Sequence, residues 1–207
     1  MEADVDLGRE LKIRQKLRSY FLTALLSPAS RRMQRSASEM RRKLTGRPHV
    51  VSAFLQLDDP YSYLLAIHLP DLASHYDIEL RVYLSQALGD GFQPAPDMLA
   101  EYGALDVRRV ARELGVPFLD KGVAPPVEHR RALLDYVAAC AGNDDFLIEF
   151  SQVLEAYWRG DNEAAARRAD TGDAGQADHV IAESQALQKR LGHYNSGMLH
   201  YGGEWYW

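Results

Sequence analysis

The sequence predicts an α/β sandwich interrupted by a helical insertion, with elements in the order strand, helix, strand, a block of helices, a last helix and two closing strands. Three observations carry this reading. Two β-branched and aromatic runs, HVVSAFLQL at 49–57 and IELRVYL at 78–84, flank a helical stretch. The strand signal then vanishes from Pro94 to about Leu191. It returns at Met198–Tyr201 and Glu204–Trp207, on either side of Gly202-Gly203.

Taken in order, Ile13, Leu17, Tyr20, Phe21, Ala24 and Leu25 fall on one helical face, so residues 7–26 are expected to form an amphipathic helix. Ser27-Pro28 is expected to end it, and the Ser- and Arg-rich stretch Arg31–Arg47 reads as a linker or frayed helix. Residues 1–47 therefore form a basic N-terminal helix and linker, and the folded body starts near Pro48. His49–Leu57 is a strand leading into the Asp58-Asp59-Pro60 turn. Asp59 as N-cap and Pro60 at the first helical position open a helix, because that position has no N–H partner to lose. The helix runs to about Tyr76, with Pro70 as a kink or break. With Ile78–Leu84 as the next strand, residues 48–93 make a βαβ half with parallel strands.

Residues 94–177 form the helical insertion. Asp106 is expected to cap a segment bearing Val107, Val110, Ala111 and Leu114, which Gly115 and Pro117 stop. A helix over 129–141 follows, and Asn143-Asp144-Asp145 cap another carrying Phe146, Phe150, Val153, Leu154, Tyr157 and Trp158. Asp161–Ala177 reads as a weak helix or exposed connection. Residues 178–207 form the αββ half: Asp178 opens the last helix, Gly192 stops it, and a hairpin with a Gly-Gly turn closes the chain.

Composition narrows the function. The chain has 207 residues, 46% hydrophobic and 26% charged, so it can bury a real core. No apolar run reaches the roughly 18 residues needed to cross a bilayer, and the acidic N-terminus does not resemble an export signal, so a cytoplasmic location is expected. The single cysteine, Cys140, excludes dithiol redox within one chain and cysteine-rich zinc sites. The seven histidines show no metal-binding spacing, so no metal is expected. Charge is uneven: residues 1–50 hold 12 Lys/Arg against 5 Asp/Glu, whereas the remainder is acidic. Without aromatic residues interleaved among the cations of 27–50, nucleic acid is not the expected partner of this arm. Docking on its own body or solvation is the simpler expectation.

Three segments carry a resemblance. Asp59-Pro60-Tyr61-Ser62-Tyr63 at the strand-to-helix junction, Tyr102–Phe118 (YGALDVRRVARELGVPF) in the insertion and Gly203–Trp207 (GEWYW) in the hairpin are similar to segments of the DsbA-like thioredoxin-fold family. The branch they resemble is that of 2-hydroxychromene-2-carboxylate isomerases and kappa-class glutathione transferases. The resemblance spans residues 48–207 and implies a thioredoxin-like sheet with a helical insertion domain behind the N-terminal amphipathic helix. It also implies relation to thiol- or glutathione-dependent enzymes, with glutathione as a candidate co-substrate.

The chain departs from that pattern at the reactive position. Asp59 stands where the isomerase branch has serine and the oxidoreductases their first cysteine. A carboxylate cannot form a disulfide, and at a helix N-terminus its pKa is expected to fall, making it a poor acid and repelling a thiolate. Gly197 stands where the family has a cis-proline. The family also continues past its tryptophan into a closing helix, so a sheet face at Trp205 or Trp207 is expected to need a cover: the N-terminal helix, a second copy or a continuation of the gene product.

The candidate site is therefore Asp59 and Ser62 as catalytic groups, each with a competing structural role at the helix start. Tyr61, Tyr63, Phe118, Trp158, Gly197 and Met198 are candidate contacts for a small apolar or aromatic substrate. The alternative function is a non-catalytic binding or scaffolding domain paired with a second thioredoxin-like domain or a homodimer partner.

Overall fold

The computed structural model describes residues 27–86, 95–116, 118, 127–169 and 175–207. The helix expected over 7–26 lies outside them. The chain divides into two units, Met1–Arg47 and Pro48–Trp207. In the first, the stretch expected as a linker or frayed helix is a capped α-helix, α1 (Pro28–Thr45). Ser27, read as an end, is its N-cap: its side chain accepts the Ser30 N–H at 3.2 Å, with Pro28 in the first turn. Gly46 at φ 60° closes it. Caps at both ends outweigh a low apolar content, since no residue of α1 is buried.

The second unit holds β1 (Val50–Gln56), α2 (Pro60–His75), β2 (Glu79–Ser85), α3 (Pro96–Leu114), α4 (Val127–Cys140), α5 (Phe146–Arg159), α6 (Asn162–Ala169), α7 (Gln176–Arg190), β3 (Met198–Tyr201) and β4 (Glu204–Tyr206). The sheet order is β2-β1-β3-β4. β1 runs parallel to β2, pairing Val50 with Glu79, and antiparallel to β3, pairing Phe54 with Met198. β1 is therefore inside the sheet, and Val51 through Gln56 are all buried, which is why its sequence is almost unbroken in apolar residues.

Alternation divides β1 between two environments. Ala53 and Leu55 join Leu84, Tyr63, Ala66 and Leu69 in the main core with Leu133 and Val137 of α4 and Phe150, Val153 and Leu154 of α5. On the opposite face Phe54, fully buried, stacks on Tyr83 at 5.0 Å and tilts against Trp205 at 5.4 Å. Trp205 also packs on His193 and His200 and donates its indole N–H to the Leu191 carbonyl at 3.1 Å. It is thus half-buried, and of the two tryptophans expected on an uncovered face only Trp207 is exposed, at 80%.

Several element boundaries differ from expectation. Pro70 sits exposed inside α2 without ending it. α3 starts at Pro96, so Asp106 is interior to the helix and not its cap; Met98, Leu99 and Tyr102 are exposed, leaving no buried stripe to announce the first turns. Asp145 occupies the N-cap of α5 without a side-chain cap bond. α7 starts at Gln176, not Asp178. Its first N–H groups are served from outside: buried Asp135 of α4 accepts from Gly175 and Ala177 at 3.2 and 3.1 Å, while Asp178 pairs with Arg131 at 2.8 Å.

Candidate functional site

The end of β1 turns into α2 through Asp58 and Asp59, and the need to satisfy the open N–H groups of α2 fixes the geometry there. Asp59 is extended, at φ −107° and ψ 117°, and its carboxylate accepts from the Tyr61 N–H at 3.3 Å and the Ser62 N–H at 2.9 Å. The Ser62 hydroxyl donates to the same Asp59 Oδ2 at 2.6 Å and accepts the Gln56 N–H at 2.9 Å. Ser62 is fully buried, so it joins the strand end to the helix start and has no open face toward a ligand.

Around this pair lies a network that the sequence alone did not disclose. Gln56, also buried, donates to Asp58 at 2.7 Å and accepts from Ser196 at 2.9 Å; Arg130 of α4 closes on Asp58 at 2.9 Å. The available signal was a glutamine ending a mostly apolar strand, two residues before an aspartate. Gly197 completes the corner. Its N–H donates to the Phe54 carbonyl at 2.9 Å, and its φ of +65° lies in the left-handed region. A Cβ there would stand 2.9 Å from Asp59 Oδ2 and 3.1 Å from Tyr61 Cβ, so glycine is what lets this loop sit against the carboxylate. Met198 follows as the buried first residue of β3.

The electrostatics of Asp59 correct the expectation. Burial pushes its carboxyl above the ordinary aspartate value, against the pull of the hydrogen bonds from Ser62, Tyr61 and Ser196. A helix start favours the anion, but removing the group from water costs more here.

The aromatic candidates separate into two groups. Tyr61 points toward α3: its phenol donates to Asp106 at 2.8 Å, and its ring meets that of Trp207 at 5.3 Å. Burial, followed by the Asp106 hydrogen bond, raises its pKa. Tyr63, buried on another side of α2, meets Phe118 at 5.7 Å, which meets Trp158 at 5.6 Å. The enclosed Trp158 indole N–H has no acceptor among the described residues. An open groove beside β2, lined by Leu80, Val82, Leu84, Phe146 and Val180 among others, shares no residue with the Asp59 corner.

Cys140, at the end of α4, has its thiol pKa raised by burial, the opposite of an activated nucleophile. Among the described residues no group of three His, Cys, Asp or Glu could hold a metal ion, and no helix is long and apolar enough to cross a membrane.

No protein-family model and no curated protein matches the chain. Solved structures do. A 2-hydroxychromene-2-carboxylate isomerase superposes with a TM-score of 0.56 at 16% identity, covering 76% of this chain and 88% of that one. The cytosolic disulfide reductase DsbM from Pseudomonas aeruginosa gives 0.50 at 16% identity, covering 76% and 87%. The chain therefore has the DsbA-like thioredoxin fold, as the three sequence segments implied. At such identities the likeness reaches the fold and no further.

Proposed function

We propose that this protein is a relative of thiol- and glutathione-dependent isomerases and transferases in which Asp59 has taken the place of the reactive serine or cysteine, and that it works by binding a small apolar or aromatic molecule without thiol chemistry. The observation that carries this reading is the commitment of the Asp59 carboxylate. It accepts two backbone N–H groups and the Ser62 hydroxyl, and the backbone of Gly197 closes over it. A group so occupied stabilises a corner and is poorly placed to attack or to relay a proton. The aromatic set Tyr63, Phe118 and Trp158 supports the binding half, because Phe118 and Trp158 are only partly buried and present ring surface of the kind an apolar or aromatic ligand packs on. Glutathione is the first ligand to try, and a cytoplasmic setting accords with the lone cysteine.

The test compares the wild-type chain with Asp59→Asn and Asp59→Ser for glutathione-dependent disulfide reduction and for conjugation of aromatic electrophiles. Wild type is expected to show no turnover above the uncatalysed rate. Turnover that Asp59→Asn abolishes while the chain stays folded would make Asp59 catalytic and overturn the reading. A second reading, in which the domain scaffolds a second thioredoxin-like domain or a second copy, is favoured by one observation: the exposed Trp207 ring lies on Tyr61 beside the corner. A mass in solution that halves on Trp207→Ala would support it.

A further inference from the structure

Helix α1 presents two faces of different chemistry. Met33, Ala37, Met40 and Leu44 recur at the spacing of a single stripe, and Met33, Met40 and Leu44 are 71%, 66% and 82% exposed. The remaining surface carries six Lys/Arg, Arg31, Arg32, Arg35, Arg41, Arg42 and Lys43, against the single acid Glu39. By helical geometry Arg32, Arg41 and Lys43 flank the stripe and the other three arginines lie behind it. Eighteen residues extend for about 27 Å at 1.5 Å per residue.

We propose that α1 is a docking surface for an anionic lipid bilayer, lying in the headgroup plane with Met33, Met40 and Leu44 inserted and the flanking Arg32, Arg41 and Lys43 against the lipid phosphates. A narrow apolar stripe, a strongly cationic remainder and low overall hydrophobicity are what an interfacial helix needs, and none suits a spanning one. Charge decides against a second copy of α1. In a pair of α1 helices joined along the stripe, the flanking Arg41 and Lys43 would face like charges, which disfavours self-association. A nucleic-acid backbone would use the cations but leave the apolar stripe in water. An anionic bilayer satisfies both faces, the long Arg and Lys side chains reaching outward to headgroups.

The test is flotation of the full chain with vesicles of phosphatidylcholine alone or phosphatidylcholine mixed with phosphatidylglycerol. Binding is expected only to the mixed vesicles, and should fall at least about tenfold when salt rises from roughly 0.1 M to about 1 M, as the screening length shortens from about 10 to about 3 Å. Replacing Met33→Gln, Met40→Gln and Leu44→Gln together keeps helix propensity and, by withdrawing the inserted area, should lower partitioning by on the order of tenfold or more. Because the sequence at 13–25 is itself apolar on one face, this variant assigns the effect to α1. Replacing Arg32, Arg41 and Lys43 by Gln should remove the preference for the anionic lipid. Absence of flotation with the mixed vesicles, flotation that the triple Met/Leu variant retains, or a stripe-dependent dimer in its place would each overturn the proposal.

Discussion

Replacing Asp59 by alanine isolates what its carboxylate does. The change removes the N-cap of α2, worth about 1 kcal/mol. It also leaves the fully buried Ser62 hydroxyl without its 2.6 Å acceptor, a penalty of about 1–3 kcal/mol. The expected loss is about 2–4 kcal/mol, less whatever is regained by removing a carboxyl whose charged form burial disfavours. With a urea dependence of about 2 kcal/mol per molar, the unfolding midpoint should fall by roughly 1–2 M. Asp59→Asn is the control, since asparagine caps as well as aspartate, and should lie much nearer wild type. Equilibrium urea unfolding followed by far-ultraviolet circular dichroism measures both. An alanine variant as stable as wild type would show that the hydrogen bonds at this corner contribute nothing, and the structural role assigned to Asp59 would fail.

The same carboxyl gives a pH signature. Its native pKa lies above the unfolded reference of about 3.9, so between the two values the native state holds more protons and stability falls as pH rises through that window. The stability difference between wild type and Asp59→Asn, measured from about pH 4 upward, should therefore move against wild type as pH rises; a difference moving the other way would sink the assignment. Gly197→Ala combines a left-handed backbone, costing roughly 1–2 kcal/mol, with contacts of 2.9 Å to Asp59 Oδ2 and 3.1 Å to Tyr61 Cβ. It should lower the thermal midpoint clearly, and an unchanged midpoint would mean the loop does not press on the carboxylate. Tyr61→Phe removes the 2.8 Å bond to Asp106 that ties α2 to α3 and should cost about 0.5–1.5 kcal/mol in urea unfolding. Burial also raises the phenols of Tyr63, Tyr136 and Tyr157, so spectrophotometric titration should show a group of tyrosines ionising above the ordinary range in wild type and one fewer in the variant.

Where the sequence pattern was periodic or interrupted by strong turn residues, it disclosed the structure. The strands around 50–56 and 79–85, the Asp59-Pro60 helix start and the Gly-Gly hairpin follow from local rules, whereas Gly197 was brought into the candidate site by the family resemblance. The failures have physical causes. α1 was read only as a linker or frayed helix because its stability rests on caps and on charged helix formers, with no buried face to leave a periodic trace. The start of α3 was displaced because its first turns face water. The corner network of Gln56, Asp58, Ser196 and Arg130 joins residues distant in sequence, and no spacing rule reports that. The direction of the Asp59 pKa depends on desolvation, a property of the packed chain and not of the residue string.

The position of β2 at the margin of the sheet has a consequence for handling the protein. A marginal strand of seven residues with Leu80, Val82 and Leu84 on one side offers its outer backbone groups to any other extended chain. On this strand Glu79 and Arg81 are exposed and held together at 2.6 Å, so a strand approaching from another molecule would have to strip water from both charges. They act as gatekeepers against intermolecular β-aggregation. Neutralising the two together should leave the fold intact while shortening the time the concentrated protein stays in solution.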